Sequence, residues 1–248
     1  MTLDWLTATE VLLVLGSTGD MRIDLQLPTA LKDETSDAQA LDYLRDYYHG
    51  PPGTDAGLTG SAFDTWDSTQ TRSRDADRFT ADDLVAITFL SVRVPGLAAQ
   101  AILRELAQTF TDLLTEIGAD RDLVDEPNSL DGDDDWAGWR LRTQLKALDG
   151  IGTTTATKLM ARKRPRLRPI WDTVVAQVMG AEHHQWEPLR LLLRADGCRL
   201  HERLLRLRAD AGLPEEVSAL RVLDVVAWQE GREHKVRARP DLDPDEAA

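Results

Sequence analysis

The sequence predicts an all-α fold, and three observations support this prediction. Apolar residues recur at helical spacing in three long stretches, residues 96–117, 136–160 and 215–229. Glycine and proline stand near the expected ends of these helices, where they are common. The one short run typical of an extended segment is residues 23–27, which Pro28 ends. We therefore expect roughly eight to ten helices and at most a minor strand component.

The first half of the chain contains expected helices that are interrupted by a long polar loop. Ser36 is a candidate N-cap for one helix, and Thr80 opens a capping signal for another. The loop, residues 49–78, is rich in Gly, Thr, Asp and Ser but also contains Phe63 and Trp66. Loops of this length are often functional or disordered, and the aromatic residues favour a functional loop. The expected helices of this half cover residues 3–15, 36–48, 82–94 and 96–117.

The second half is more regular and ends in a charged tail. An acidic linker over residues 118–135 precedes a predicted helix–turn–helix at residues 136–160. Residues 231–248 are charged and poor in large apolar residues, so we expect a disordered tail. Residues 1–230 are expected to form one compact helical unit, or two closely packed subdomains with the hairpin at residues 136–180. Further helices are expected at residues 172–179, 185–195, 199–211 and 215–229.

Composition limits the cellular context and the cofactors. The chain contains no apolar run of 18 residues, so we expect no membrane span. The apolar run at residues 11–15 is too short for a signal peptide, and we expect a cytoplasmic protein. Cys198 is the only cysteine, which excludes a cysteine-ligated zinc site or iron–sulfur cluster. The histidines show no ligand spacing, so no metal site formed by side chains is expected.

The charge of the chain is unevenly distributed. The net charge is −14, yet residues 140–208 contain 15 basic and 6 acidic residues, a local charge of +9. Screening at physiological salt limits the reach of distant charges to about 8–10 Å, so a basic face on an acidic body can still bind phosphates. The alternative is an ordinary solvated surface, since Arg outnumbers Lys 24 to 5 throughout the chain.

A short motif joins the two helices of the predicted hairpin. Gly150 and Gly152 stand in the turn, where a left-handed or crowded backbone requires a residue without Cβ. Threonines follow at the start of the second helix, whose first backbone N–H groups have no acceptor within the helix. Such an end is a ready site for phosphate. The apolar residues expected to face inward are Leu145, Leu148, Ile151, Ala156, Leu159 and Met160.

The segment Leu-Asp-Gly-Ile-Gly-Thr-Thr-Thr-Ala, residues 148–156, resembles the helix-hairpin-helix of DNA-binding proteins. The resemblance extends to the helix-hairpin-helix DNA glycosylase superfamily, in which a Pro-x-Asp-Thr/His-Val segment carrying the catalytic Asp follows the hairpin. Here the segment Pro-Ile-Trp-Asp-Thr-Val, residues 169–174, is similar, and Asp172 lies 22 residues after Gly150. The match covers residues 145–179, with Asp149 in the usual place of a proline and one extra residue before Asp172.

This resemblance implies a helix-hairpin-helix, DNA-glycosylase-like multi-helix fold with Asp172 as the catalytic residue. Asp172 directly precedes an expected helix, so it can equally be a plain N-cap. Both interpretations require an ionised carboxylate, and both stay open. Thr154 occupies the position at which lyase-type members carry lysine, which implies a monofunctional enzyme that uses water. The resemblance also implies a possible monovalent cation at the hairpin, and no other cofactor.

The remaining candidate site residues belong to two groups. The aromatic candidates for contact with an extruded base are Trp171, Tyr47, Phe63 and Trp66, and the alternative for each is a place in the core. The candidate DNA contacts, for which the alternative is solvated surface, are Gly150, Ile151, Gly152, Thr153, Thr154, Lys158, Arg162, Lys163, Arg164, Arg166 and Arg168.

The favoured hypothesis is therefore a monofunctional DNA glycosylase that acts on double-stranded DNA and excises a damaged or modified base. A non-catalytic helix-hairpin-helix module that only holds DNA is the alternative. A third possibility is an acidic interaction protein without a role in nucleic acid binding. The identity of the base and the oligomeric state cannot be read from the sequence.

Overall fold

The computed structural model describes residues 25–130 except residues 52, 54 and 55, together with residues 136–180 and 186–238. The regular secondary structure of these residues is entirely helical, which confirms the expected all-α class. The helix predicted at residues 3–15 lies outside the described residues. The α-helices are α1 (Asp37–His49), α2 (Ala81–Ala86), α3 (Gly96–Gln100), α4 (Ala107–Ile117), α5 (Ala137–Lys146), α6 (Thr153–Lys163), α7 (Thr173–Met179), α8 (Trp186–Asp210) and α9 (Ala219–Ala238).

Helix α9 is the centre of the packing. It contacts α1, α7 and α8, while α5 packs between α4 and α6. The sequence predicts one inward face for this helix, but every residue from 217 to 227 is buried. A helix that is buried on all sides must satisfy its polar side chains internally. This requirement applies to Arg221 and Asp224, which lie in the middle of the buried stretch.

Two predicted helices are more irregular than their apolar patterns suggest. The expected helix over residues 82–94 ends early, since α2 passes into the 3-10 turn Ile87–Leu90 and Ser91 adopts a left-handed conformation with φ of 58°. The expected helix over residues 96–117 contains the π-helical turn Ala101–Glu105 between α3 and α4. Apolar periodicity predicts which residues face inward. It does not predict how many residues separate each backbone N–H group from the carbonyl oxygen that accepts its hydrogen bond, and this spacing distinguishes 3-10, α- and π-helical turns.

Two features near the C-terminus concern predicted boundaries. Four residues of α8, residues 195–198, have non-helical backbone angles, so α8 consists of two segments, as the sequence predicts. The prediction of a disordered tail from residue 231 is wrong for residues 231–238, which continue α9. Gly231 lies against α7, and Glu233 accepts a hydrogen bond of 2.9 Å from the Tyr43 hydroxyl, so tertiary contacts extend the helix. Residues 239–248 lie outside the described residues.

No α-helix of the described part of the chain is long and apolar enough to cross a bilayer.

Candidate functional site

The predicted hairpin is present, and its turn is tight. The turn joins α5 to α6, and the N–H group of Ile151 donates to the carbonyl oxygen of Leu148 at 3.0 Å. Gly150 has a φ of 80°, and a Cβ atom at this residue would lie 2.5 Å from Cγ of Pro95. Glycine is therefore required here for two reasons, its left-handed backbone and its close approach to Pro95.

The N-terminus of α6 is presented at the surface by this turn. The N-cap is Gly152, which is exposed and has no side chain that accepts from the first N–H groups. Thr153 and Thr154 follow and are both partly exposed. The first N–H groups of a helix have no acceptor within the helix, so they carry a partial positive charge toward solvent. This end of α6 has the form of an anion site.

The cationic side chains nearest to the turn along the chain are few. Lys146 is exposed in the last turn of α5, and Arg93 is exposed two residues before Pro95, which contacts Gly150. Asp149 is exposed within the turn itself and carries the opposite charge. An anion at this end would therefore meet mainly backbone N–H groups rather than a dense cluster of cations.

The basic run after the hairpin requires a correction. Four of its members, Arg162, Lys163, Arg164 and Arg168, are at most 5% exposed, and Lys158 is 6% exposed. A cation enclosed by the protein cannot contact the backbone of a duplex at the surface. Five of the fifteen cations that produce the local charge of +9 therefore do not belong to a basic face, and these five residues are structural rather than phosphate contacts.

Asp83 is the main partner of the first two cations. Its carboxylate accepts from Nε of Arg162 at 3.2 Å and from Nζ of Lys163 at 2.8 Å. The same carboxylate accepts from the backbone N–H of Thr80 at 2.8 Å, which completes the capping box at the start of α2. Arg162 also donates to the carbonyl oxygen of Phe63 at 2.8 Å. These buried cations thus fix α6 against the long loop and α2.

The other two buried cations are held differently. Arg164 donates to backbone carbonyl oxygens on three segments, including those of Gly118 at 2.6 Å and Leu114 at 2.7 Å. Among the described residues, none accepts a hydrogen bond from the guanidinium group of Arg168, which lies 3.9 Å from the ring centroid of Trp136 and 5.1 Å from that of Trp186. Stacking on two indole rings compensates part of the lost hydration. Burial lowers the pKa of Arg168 well below its ordinary value.

Arg166 is the exception within the run, because about half of its side chain is exposed. Its Nε atom donates to Oδ1 of Asp122 at 3.0 Å, and its backbone N–H donates to Asp120 at 3.1 Å. It is the one member of the run that remains available at the surface, although it already has a carboxylate partner.

The aromatic candidates for a base pocket also require a correction. Tyr47, Phe63 and Trp171 are at most 5% exposed and belong to the hydrophobic core. Trp66 is partly buried and makes an edge contact with Phe89 at a centroid distance of 5.1 Å. Rings enclosed by core neighbours cannot stack on a base without rearrangement, so the alternative interpretation as core residues applies to Tyr47, Phe63 and Trp171, while Trp66 packs against the core with part of its surface exposed.

Asp172 caps α7 with one of its two carboxylate oxygens. Oδ1 accepts from the backbone N–H groups of Val174 and Val175, each at 3.0 Å. Oδ2 takes no part in the cap and lies 4.0 Å from Nζ of Lys158. The side chain is 17% exposed. The cap and a chemical role therefore use different oxygens, and the geometry accommodates both interpretations.

Lys158 brings a buried amine to this carboxylate. Its Nζ atom donates to the carbonyl oxygen of Leu90 at 2.7 Å, at the end of the 3-10 turn before Ser91. Burial lowers the pKa of the Lys158 ammonium, while Asp172 and Asp224 act in the opposite direction. The contact places residues from α6, the start of α7 and the segment after α2 around one point.

A buried charge cluster behind Asp172 and Lys158 was not identified from the sequence. It is centred on Arg221, whose Nε donates to Asp64 at 3.1 Å and whose Nη2 donates to the Tyr47 hydroxyl at 2.7 Å. Arg221 also forms an ion pair with Asp224, one helical turn away. The available signal was an Arg and an Asp three residues apart within the apolar stretch at residues 217–227, which is typical of a buried pair.

Burial shifts the pKa values of two members of this cluster. Burial raises the pKa of Asp224 to about 7, against the lowering effect of Arg221. Burial likewise raises the pKa of Tyr47 to about 12. A small cavity of about 10 Å³, close to the volume required for one water molecule, lies beside Asp64, Ser218 and Asp224. The enclosure therefore favours the protonated form of Asp224 more than water does.

The part of the chain that the structure describes contains no group of three or more His, Cys, Asp or Glu side chains arranged to hold a metal ion.

Comparison with known proteins gives a family without an assigned activity. Residues 40–231 match the model described as a family of unknown function, DUF6308, and the chain belongs to that family. The matched region includes the hairpin, Asp172, Lys158 and the Arg221 cluster. No curated protein and no solved structure matches the chain significantly.

Proposed function

We propose that this protein binds double-stranded DNA through the hairpin turn between α5 and α6. The observation that carries the proposal is the exposed N-terminus of α6, with its uncapped backbone N–H groups presented by Gly150 and Gly152. This arrangement can hold a phosphate without a basic side chain. The resemblance of residues 148–156 to the helix-hairpin-helix of DNA-binding proteins supports the same function.

The burial of the basic run changes the expected strength of binding. Because Arg162, Lys163, Arg164 and Arg168 are enclosed, we expect the hairpin to contact only about one to three phosphates of the duplex. The logarithm of the binding constant should then fall against the logarithm of the salt concentration with a slope of about 0.9 per contact. The acidic remainder of the chain further disfavours long-range attraction of DNA.

Introduction of a negative charge at the turn provides the test. In Thr153→Glu, a carboxylate occupies the first turn of α6, where it interacts favourably with the helix dipole and preserves the fold. The same carboxylate repels a phosphate. We expect binding of a fluorescently labelled duplex, measured by anisotropy, to weaken about tenfold or more. Equal binding by the variant and the wild type would refute the proposal.

Thr109→Glu is a matched control. Thr109 is exposed in the first turn of α4, so the variant has the same substitution, the same change in net charge and a similar helix position. It should bind the duplex as the wild type does. A similar loss in both variants would show that net charge, rather than the hairpin turn, determines the binding.

We propose base excision at Asp172 as a second candidate function, because its Oδ2 atom is not used by the cap of α7. A carboxylate near a glycosidic bond can stabilise the positive charge that develops on the sugar or can orient water. Thr154 in the lyase position favours a monofunctional enzyme. The Asp172 side chain is also 17% exposed, so it is not fully enclosed in the core.

Asp172→Asn separates excision from capping. Asn is also a good N-cap, so the melting temperature should change little. Release of the base from damaged duplexes should fall on the order of 100-fold or more. The assay is alkaline cleavage of labelled duplexes with a panel of modified bases. Unchanged excision would place the chemistry elsewhere, and a proportional loss of stability and activity would make Asp172 a structural cap.

A further inference from the structure

One guanidinium group serves two carboxyl groups in the core. Arg221 donates to Asp64 through Nε at 3.1 Å and forms an ion pair with Asp224. The three side chains are at most 7% exposed. If both carboxyl groups were ionised, this triad would carry a net negative charge. An uncompensated charge is costly in the core, whereas one proton shared by the two carboxyl groups makes the triad neutral.

The two carboxyl groups are not equivalent. Oδ2 of Asp64 accepts from Arg221 and also from the Tyr48 hydroxyl, the latter at 2.8 Å. Asp224 accepts a side-chain hydrogen bond from Arg221 alone among the described residues. Hydrogen bonds to the ionised form stabilise that form, so Asp64 is the better place for the negative charge. Burial raises the pKa of Asp224 to about 7, which favours the proton on Asp224.

The other charges around the triad agree with this assignment. The titratable side chains that act on the two carboxyl groups, besides Arg221 of α9, are Tyr47 and Tyr48 of α1, Lys158 and Arg162 of α6, and Asp172 before α7. Burial raises the pKa of both tyrosines, so they are neutral at pH 7. Lys158 and Asp172 have opposite effects on Asp224. Arg162 interacts with Asp64 and favours its ionised form.

A cavity of about 10 Å³ adjoins both carboxyl groups. This volume is about enough for one water molecule, and a buried water typically makes about three hydrogen bonds. No described residue donates to Oδ1 of Asp64 or to Oδ1 of Asp224. Ser218 also lines the cavity, and its Oγ atom donates to a backbone carbonyl oxygen at 2.6 Å and accepts from the N–H of Arg221 at 3.1 Å, which leaves one lone pair. Arg168 borders the cavity too, but its guanidinium stacks on two indole rings.

We propose that this cavity holds one water molecule that bridges Asp64 and Asp224, and that the two carboxyl groups share a single proton. The carboxyl group of Asp224 donates its proton to the water oxygen. The water donates one hydrogen to Oδ1 of ionised Asp64 and the other to Oγ of Ser218. The free acceptors of the cavity wall then have partners, and the triad with Arg221 is neutral. The proposal does not depend on DNA binding.

Infrared spectroscopy of the full-length protein tests the shared proton. A protonated carboxyl group has a carbonyl stretching band that an ionised carboxylate lacks. The wild-type spectrum at pH 6, minus that of Asp224→Asn, should contain one such band. The band should vanish by about pH 9, two units above the pKa of Asp224. Absence of the band at pH 6 would overturn the inference.

Asp64→Asn separates a shared proton from the effect of burial alone. In this variant Arg221 has only one carboxyl group to balance, so Asp224 should ionise and its titration midpoint should fall by at least about two pH units. If the midpoint stayed near 7, burial alone would hold the proton and sharing would be refuted. Asp120→Asn is the matched control, because burial also raises the pKa of Asp120, to about 6, at a site beside Arg166. It should leave the midpoint of Asp224 unchanged, and an equal fall in both variants would also refute sharing.

Two measurements on the wild-type protein test the occupant of the cavity, and they decide the question even if Asp64→Asn does not fold. A crystal structure at pH 6 should show density for one atom within hydrogen-bond distance of both Oδ1 atoms, and an empty cavity would overturn the inference. A sodium ion could balance the same charge in place of the proton. Urea unfolding in equal concentrations of sodium chloride and choline chloride should give equal stability. A gain in sodium that Asp224→Asn lacks would overturn the shared proton.

Discussion

The two ends of α6 place positive charge in opposite environments. At the N-terminal end, Gly152 and Thr153 expose backbone dipoles and carry no charged side chain. At the C-terminal end, Arg162 and Lys163 carry full charges, and both are enclosed around Asp83. A basic run in the sequence is therefore not by itself a basic surface. The end with the weaker formal charge is the one available to an anion.

The largest expected effect is the loss of stability when a buried cation is removed from the C-terminal end of α6. In Arg162→Met, Asp83 loses one of its cations and the carbonyl oxygens of Phe63 and Trp66 lose a donor. Removal of one partner of a buried ion pair typically costs about 3–5 kcal/mol. We expect a loss of this size in the free energy of unfolding, measured by urea denaturation. A loss below about 1 kcal/mol would mean that the guanidinium is effectively solvated.

The next effect concerns pH and the Arg221 cluster. The folded protein keeps the proton of Asp224 up to a pKa of about 7, whereas an unfolded Asp ionises near pH 4. The unfolded state therefore binds fewer protons between these values, and this group reduces stability as pH rises from about 4 to 7. Asp224→Asn lacks the effect, so its stability relative to wild type should rise over this interval, on the order of 4 kcal/mol.

Urea denaturation of both proteins at pH 4, 5.5, 7 and 8 measures this difference. Above pH 7 the gap should become constant, because Asp224 is then ionised in both states of the wild type. Parallel stability curves from pH 4 to 8 would show that Asp224 titrates alike in the folded and unfolded protein, and would contradict the expected shift.

Two glycine substitutions test the role of the exposed N-terminal end of α6. Gly150→Ala requires a left-handed alanine whose Cβ would meet Pro95, and we expect a stability loss of about 1–3 kcal/mol. At Gly152 a Cβ atom meets open space, so Gly152→Ala should cost only about 0.5–1 kcal/mol, because alanine is a poorer N-cap than glycine. The added methyl group would nonetheless obstruct the approach of a phosphate.

Thermal unfolding and duplex anisotropy, measured on both proteins, separate these effects. Gly152→Ala should weaken duplex binding several-fold while the melting temperature changes little. Full binding by Gly152→Ala would show that phosphate does not approach the backbone at this residue. An unchanged melting temperature for Gly150→Ala would show that the turn relaxes without strain.

The smallest expected effect is at the exposed member of the basic run. Arg166→Met removes an ion pair with Asp122 from a side chain that is about half exposed, so stability should fall by less than about 1 kcal/mol. Urea denaturation next to Arg162→Met gives a direct comparison of a surface cation with a buried one. Similar losses of stability in the two variants would contradict the expected difference between a buried and a surface cation.

The helices and the hairpin were predictable because their signals are local. The glycines of the turn, the capping box at Thr80 and Asp83, and the apolar spacing of α4 to α6 each act over a few residues. The α9 extension past Gln229 was not predictable, since it depends on contacts of Gly231 with α7.

The site was less predictable than the fold. The cap by Asp172 follows from its position before a helix, and the structure confirms it. Whether Arg162 faces solvent or Asp83 depends on a pairing across 79 residues, which no local pattern specifies. The same holds for Arg221 and Asp64, whose contact spans 157 residues. DNA binding and excision stay predictions.

The shared carboxylate of Asp83 also has a consequence for how the chain folds. It accepts hydrogen bonds from Thr80, which is close in sequence, and from Arg162 and Lys163, which lie 79 and 80 residues further along the chain. The local contact can form as α2 forms, whereas the distant contacts require closure of a long loop. The start of α2 should therefore become ordered first, and the docking of α6 should complete the assembly. Substitutions at Arg162 would then mainly accelerate unfolding, with little effect on the folding rate.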